Sequence, residues 1–162
     1  MIKKIEKWTT DSQSKFFSEK TYNEWRKKYK EATKLIQGKI SEAVCRNGQK
    51  PYVFYCAPAK DDIPYDNLDS IAIQGPVVFI EKGDDFFGNG ESYESDVYHN
   101  PTWLDVCVIA NEMICRTGNF HHVYLEGIHL QEGLLHPSGV LLSIGNAIPE
   151  EGVKTARFEM GS

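Results

Sequence analysis

The segment "TWLDVCVIANEMICRTG", residues 102–118, constrains the fold of this 162-residue chain more than any other stretch. Asn100 or Thr102 can cap the start of a helix there, and Gly118 suits its C-terminal cap. Before the last turn, polar residues interrupt the apolar surface at three positions: Asp105, Asn111 and Glu112. Because a helix that is apolar on nearly all sides has to be buried, the pattern predicts a buried central helix.

A second helix is predicted from residue 21, where Thr21 and Glu24 have the spacing of a capping box. Apolar residues then recur at steps of three or four: Tyr22, Trp25, Tyr29, Ala32, Ile36, Ile40 and Ala43. Basic residues fill the gaps: Arg26, Lys27, Lys28, Lys30 and Lys34. This pattern predicts a helix with one apolar stripe and one basic face, which ends near Asn47-Gly48.

Several runs of β-forming residues predict strands. "PYVFYCAP" (51–58) is apolar on both alternating faces, which favours a central strand. "SIAIQGPVVFIEKG" (70–83) is broken at Gly75-Pro76 and predicts two short strands or one bulged strand. Residues 121–130 and 139–145 predict two more strands joined by a turn, and "VKTARFE" (153–159) predicts a polar edge strand.

The resulting order of elements, α, β, β, β, α, β, β, β, predicts the α+β class. We expect a mainly antiparallel sheet of about five or six strands with the basic N-terminal helix and the buried central helix on one face. A doubly wound parallel sheet is disfavoured, because only one connection between strands contains a convincing helix. Residues 1–162 are expected to form a single globular domain, with residues 1–20 as a loosely ordered N-terminal arm.

The sequence predicts a cytoplasmic protein. Hydrophobic residues make up 41% of the chain, yet no stretch approaches 18 uninterrupted apolar residues, and residues 1–15 contain no apolar run of the length that a secretory signal needs. We therefore expect no membrane partner. The four cysteines form no C-x-x-C pair, and we expect the thiols to pack as small buried hydrophobic groups.

The net charge of −5 conceals an asymmetry. Residues 1–50 hold thirteen Lys or Arg against six Asp or Glu, so +7, whereas the remainder holds five against seventeen, so −12. A basic helix packed across its own acidic body is the favoured interpretation. Nucleic-acid binding is disfavoured, because the aromatic residues of that helix lie on the stripe opposite its basic face.

Four titratable residues crowd into "GNFHHVYLEGIHLQEG", residues 118–133: His121, His122, Glu126 and His129. In a regular strand, His122, Tyr124, Glu126 and Ile128 would share one face, with His122 and Glu126 roughly 13 Å apart. That separation is too large for two ligands of one ion, and no metal motif is present. We expect no metal or cofactor, with His122 and Glu126 as candidate acid–base groups beside Tyr124.

Residues 83–99, "GDDFFGNGESYESDVYH", are acidic and have no period, which predicts a long surface loop. Such a loop is a candidate lid or partner-binding segment. Its candidate binding residues are Phe86, Phe87, Tyr93, Tyr98 and His99.

These features favour a non-enzymatic binding or protein-interaction domain. It would hold a protein partner or a small-molecule ligand with the polar sheet face around Tyr124 and with the 83–99 loop. The alternative is a hydrolase with His122 and Glu126 as acid–base groups and His99 or His136 brought in by the fold. The third hypothesis is nucleic-acid binding through the basic helix.

Overall fold

The computed structural model describes residues 19–162. Its helices are α1 (Glu19–Arg46) and α2 (Trp103–Thr117). Its strands are β1 (Phe54–Tyr55), β2 (Ala59–Lys60), β3 (Ile63–Pro64), β4 (Pro76–Lys82), β5 (Ser92–His99), β6 (Tyr124–Leu130), β7 (Gly133–Leu135), β8 (Leu141–Ser143) and β9 (Lys154–Gly161). Apart from Glu19 and Lys20, which are helical, the predicted N-terminal arm lies outside the described residues.

Seven of these strands form one sheet in the order β5-β4-β9-β6-β7-β8, with β1 paired to the first half of β6. The pairs β4–β9 and β1–β6 are parallel and the others are antiparallel. The predicted α+β class and mainly antiparallel sheet are thus confirmed. The sheet has more strands than predicted, because β5 lies in a segment interpreted as a loop and β7 lies in one interpreted as a turn. The remaining strands, β2 and β3, form a separate hairpin.

The segment 51–58 is not the central strand that its apolar residues predicted. Only Phe54 and Tyr55 are extended in the sheet, and they pair with β6 alone. Side chains of both helices accept hydrogen bonds from backbone N–H groups of the segment. The Asn111 Oδ1 atom of α2 accepts from the N–H groups of Tyr52 and Val53, at 2.7 and 2.9 Å. The Gln37 Oε1 atom of α1 accepts from the N–H of Tyr55 at 2.9 Å.

Strand β9 differs from its prediction in the opposite way. It was predicted as a polar edge strand, but it lies between β4 and β6 in the interior of the sheet. Ala156 and Phe158 are buried, whereas Arg157 between them is exposed. The polar residues therefore belong to one face of an interior strand and do not mark an edge.

A β-bulge in β6 corrects the predicted alternation of its side chains. Leu125 pairs with Met160 and Gly127 pairs with Glu159, so that Glu126 is an extra residue. Leu125 and Ile128 are consequently both buried. Four exposed side chains mark the opposite surface, here called the outer face: Tyr124, Glu126, His129 and Arg157. Ile128, predicted to share a face with Glu126, lies in the core instead.

Helix α2 has the caps that its sequence predicted. The Thr102 side chain accepts from the N–H of Asp105, the Asp105 carboxylate accepts from the N–H of Thr102, and Gly118 adopts φ 73°. Nine residues of α2 are buried, and the seven hydrophobic ones join Val77, Phe79 and Ile128 of the sheet in one core cluster. Helix α2 is thus a central element of the core.

Helix α1 contacts the core mainly through its C-terminal half, where Ile36, Ile40 and Val44 are buried. Within residues 19–162, one ion pair, between Lys39 and Asp66, joins this helix to the rest of the chain. The basic residues of its first half, between positions 26 and 34, form no ion pair with the acidic body in the described structure. No helix of this part of the chain has both the length and the apolar character needed to span a bilayer.

The cysteines do not all pack as predicted. Cys107 is buried, and burial raises the pKa of its thiol. Cys56 and Cys115 are partly buried, and Cys45 on α1 is exposed. Only Cys107 therefore fits the expectation of a thiol fully enclosed in the core.

Candidate functional site

Four adjoining concave surfaces lie at one end of the sheet, where β4 ends and β5 begins. Strands β4 and β9 pair from Val77 and Lys154 to Phe79 and Ala156, and beyond that point they no longer pair. The resulting opening is here called the β4–β9 cleft. Its walls are Glu81, Lys82, Asn119, His122, Phe158 and Met160.

The β4–β9 cleft has a volume of about 450 Å³ at its mouth. A narrow pocket of about 40 Å³ continues from it toward Met113 and Thr117 of α2. A neighbouring hollow of about 560 Å³ shares Glu81 as a wall and reaches His129 and Arg157 on the outer face. The cleft and the neighbouring hollow together are therefore large enough to hold more than one side chain of a polypeptide ligand.

A second concavity, here called the β5–α2 groove, lies beside the cleft and has a volume of about 270 Å³. Tyr93, Glu94, Asp96 and Tyr98 of β5 form one wall, and Glu112 of α2 contributes to the other. The nearby carboxylates add to the effect of burial in raising the pKa of Tyr98. The groove thus combines aromatic rings with negative charge.

The loop between β4 and β5 is held in place by Asn89. Its backbone N–H donates to the Thr117 carbonyl at 2.8 Å, and its side-chain amide donates to the Arg116 carbonyl at 2.9 Å. These carbonyls belong to the last turn of α2, where the helix itself supplies no partner. The predicted loop over 83–99 is therefore wrong in extent: residues 83–91 form an anchored loop, and residues 92–99 form β5.

The same loop brings an aromatic ring to the histidines. The carboxylate of Asp84 accepts from the N–H groups of Phe87 and Phe86, which lowers the pKa of the Asp84 carboxyl. This turn places the Phe87 ring 4.3 Å from the His121 ring and 5.7 Å from the His122 ring. The loop thus contacts both His121 and the cleft residue His122 through the Phe87 ring.

The orientation of His122 is fixed by Asn119. The His122 Nδ1 atom lies 3.1 Å from the Asn119 Oδ1 atom, which also accepts from the N–H of His121 at 3.3 Å. Because this oxygen is an acceptor, Nδ1 carries the proton in the neutral ring and Nε2 keeps its lone pair. His122 can therefore accept a hydrogen bond from a ligand in the cleft through Nε2.

Glu81 is a partly buried carboxyl group in the wall of the cleft. Burial raises the pKa of its carboxyl, while the charge of Arg157 and the N–H of Lys82 act in the opposite direction. No Lys, Arg or His nitrogen of the described chain lies within 4.0 Å of its carboxylate. A partly desolvated carboxylate without an ion-pair partner favours the entry of a cation.

The wider surroundings of Glu81 are also acidic. The cleft, the groove and the neighbouring hollow are lined by seven carboxylates: Glu81, Asp84, Asp85, Glu94, Asp96, Glu112 and Glu159. They are lined by three basic residues: Lys82, Arg116 and Arg157. This surface, here called the acidic end, should therefore attract positively charged ligands and repel phosphates.

The structure places the predicted catalytic pair apart. His122 precedes β6 and lines the cleft. Glu126 occupies the bulge on the outer face, where its carboxylate lies against the backbone of Gly161. Tyr124 is also on the outer face, with its ring 5.1 Å from that of Phe54. His122 lies before the first residue of β6, so the alternation of the strand does not extend to it, and the predicted common face is not formed.

The predicted binding residues are distributed over three places. Tyr93 and Tyr98 line the β5–α2 groove, and Phe87 contacts the histidines. Phe86 is 86% exposed in the loop. His99, at the opposite end of β5, pairs with Pro76. Only the first three of these five residues therefore border the acidic end.

The sequence interpretation missed Glu81, Lys82, Asn119, Phe158 and Met160. A weak signal existed for Glu81, which follows the apolar run "PVVFI" and so places a carboxylate at the end of a largely buried strand. No local signal marks Asn119 or Phe158, because their proximity depends on the separation of β4 from β9. These residues required the three-dimensional fold.

Together, the fold and the site define a class of α+β protein with an acidic concave end. Within residues 19–162, no group of three or more His, Cys, Asp and Glu side chains is arranged to hold a metal ion. No protein-family model matches the chain, and no curated protein or solved structure matches it significantly. The function of the site has to be inferred from its own geometry and charge.

Proposed function

We propose that this protein is a non-enzymatic interaction module whose acidic end binds a basic segment of a partner protein. The observation that carries the proposal is the Glu81 carboxylate. It is partly buried in the β4–β9 cleft and has no ion-pair partner among the described residues. A Lys or Arg side chain in the cleft would supply the missing positive charge, with its aliphatic stem against Phe158 and Met160.

The shape of the surroundings favours a polypeptide over an isolated cation. Strand β5 is an outermost strand of the sheet and pairs, among the described strands, with β4 alone. An extended segment can add to such an edge through backbone hydrogen bonds. Tyr93 and Tyr98 beside that edge can attract further Lys or Arg side chains by cation–π interaction. One basic strand could therefore contact the edge, the groove and the cleft.

The alternatives are less well supported. A hydrolase with His122 and Glu126 as paired acid–base groups needs both at one substrate position, whereas His122 lines the cleft and Glu126 lies on the outer face. Nucleic acid would be repelled by the acidic end. It would have to use the basic face of α1. The aromatic rings of that helix pack on each other instead of alternating with the basic residues, since the Trp25 ring contacts those of Tyr22 and Tyr29.

The proposal predicts that Glu81→Gln weakens binding of a basic peptide. An eight-residue peptide of alternating Lys and Val would be titrated into the full chain by isothermal calorimetry, at low and at moderate salt. Loss of a hydrogen-bonded charge pair of about 1.5–3 kcal/mol should raise the Kd by about 10- to 150-fold. Wild-type binding should also weaken with salt.

Glu31→Gln is the matched control, because Glu31 is an exposed carboxylate on α1, remote from the cleft walls. Its Kd should stay within about twofold of wild type, since a distant exposed charge is screened. A peptide of alternating Glu and Val should not bind. Equal affinities of the two variants, or no binding of the basic peptide to wild type, would reject the proposal.

The effect of Glu81 on the free energy of unfolding can be measured separately from its effect on binding. Because burial raises the pKa of Glu81 above its ordinary 4.5, the folded state favours the neutral carboxyl. The stability that Glu81 contributes is therefore complete below pH 4.5 and is lost as the pH rises through the raised pKa. Relative to Glu81→Gln, the wild-type free energy of unfolding should fall over this range. Urea denaturation at several pH values tests the trend, and a difference independent of pH contradicts it.

A further inference from the structure

The edge of the sheet opposite β5 is uncharged and apolar. From Gly133 to Pro149, 17 consecutive residues include no Asp, Glu, Lys or Arg, although such residues make up 25% of the chain. Five aliphatic side chains in this stretch expose between 40% and 75% of their surface: Val140, Leu141, Leu142, Ile144 and Ile148. So much exposed apolar surface in one short stretch marks an interaction surface.

The strand within this stretch has a free edge. Strand β8 pairs with β7 through Gly133–Ser143, Leu134–Leu142 and Leu135–Leu141, and it is the last strand in the order of the described sheet. Natural proteins protect such edges with charged side chains or proline. Strand β5 at the other end has this protection in Glu94 and Asp96, whereas β8 has none.

The hairpin that carries β8 is tightly fixed. A Cβ atom added at Gly133 would lie 2.1 Å from the Leu142 carbonyl oxygen, so β7 and β8 approach each other closely there. The N–H of His136 donates to the Val140 carbonyl at 2.8 Å and closes the turn. The exposed edge is therefore held in a defined position by the fold.

We propose that β8 pairs antiparallel with β8 of a second copy of the chain, which forms a twofold-symmetric dimer with a continuous sheet. In a twofold interface each surface patch meets its own equivalent. The acidic end and the basic face of α1 would repel themselves in such a contact. The uncharged stretch from Gly133 to Pro149 would not, and its free backbone groups are complementary to themselves.

The exposed area predicts a weak dimer. With about 100 Å² of apolar surface for each fully exposed aliphatic side chain, the five residues present about 300 Å² per copy. Both copies would bury about 600 Å² of this surface, compared with about 1,200–2,000 Å² of total surface in stable interfaces. The dimer should therefore dissociate in the micromolar range and should depend on protein concentration.

Sedimentation velocity on the full chain between about 1 and 200 μM tests the proposal. The 18.4 kDa monomer should shift toward a dimer as the concentration rises. Leu142→Lys should raise the Kd for dimerisation at least tenfold, because it buries two like charges near the twofold axis. Val97→Lys is the matched control, since Val97 is 49% exposed on the opposite edge strand, and its Kd should stay within about twofold of wild type.

Hydrogen exchange on the unmodified chain provides a test that does not depend on how the variants fold. Amides of residues 140–144 should become more protected as the concentration rises, while those of β5 should not change. A wild-type monomer at 200 μM, or a dimer that Val97→Lys disrupts and Leu142→Lys does not, would overturn the proposal. Neither result bears on Glu81 or on peptide binding at the acidic end.

Discussion

Replacing Asn111 by Ala is expected to lower the free energy of unfolding by about 3–5 kcal/mol. Asn111 is completely buried. Its amide oxygen accepts from the N–H groups of Tyr52 and Val53, and its amide nitrogen donates to the Lys50 carbonyl at 3.0 Å. Alanine would remove the acceptor of the N–H groups of Tyr52 and Val53 and one donor to the Lys50 carbonyl, and each buried group left unpaired costs about 1–3 kcal/mol. Urea denaturation of both proteins measures the difference.

Asn23→Ala is the control for this prediction, because Asn23 is exposed on α1. Its substitution should change stability by less than about 0.5 kcal/mol. Asn111→Asp keeps the accepting oxygen but loses the donor to Lys50, and it should also be strongly destabilising. A loss of less than 1 kcal/mol in Asn111→Ala would mean that water or a shift of the backbone satisfies these groups.

Asn111 illustrates what could be predicted from the sequence and what could not. The caps of α2 depend on residues close together in the chain, and the predicted caps Thr102 and Gly118 are confirmed. The reciprocal hydrogen bond of Asp105 was not predicted. Asn111 was visible only as a polar interruption of an apolar helix. Its partners Tyr52 and Val53 lie 59 and 58 positions away, a distance at which local patterns carry no information.

The errors in the sheet have the same origin. Whether a strand is central or at an edge depends on its neighbours in space. For this reason 51–58 was predicted as a central strand although it pairs with β6 alone, and β9 was predicted as an edge strand although it lies inside the sheet. The bulge at Glu126 is likewise defined by the register of β6 against β9. It reverses the face of the later residues of the strand, so that Ile128 is buried in the core and His129 lies on the outer face.

The candidate site was predictable in its character but not in its location. An acidic, aromatic surface near residues 83–99 was expected, and Tyr93, Tyr98 and Phe87 border the acidic end. The position of Glu81 depends on the separation of two parallel strands after Phe79 and Ala156. That separation is a property of the whole sheet, because β9 continues along β6 while β4 turns into the loop anchored by Asn89.

The second large effect is expected at Gly133, where alanine should lower the free energy of unfolding by about 2–5 kcal/mol. Gly133 has φ 148°, a conformation that L residues rarely adopt. An added Cβ would also lie 2.1 Å from the Leu142 carbonyl oxygen and 2.9 Å from its carbonyl carbon. Since these are backbone atoms, β8 would have to move away from β7. Urea denaturation measures the loss, and hydrogen exchange should show weakened protection at residues 141–143.

Gly139→Ala separates the two causes of this destabilisation. Gly139 also has a positive φ, of 90°, but no atom lies within 4 Å of the Cβ that alanine would add. Its substitution should therefore show backbone strain alone, about 1–3 kcal/mol, without loss of protection in β8. If Gly133→Ala were no more destabilising than Gly139→Ala, β8 would not be closely packed against β7. The fixed edge proposed for dimer formation would then lose its structural basis.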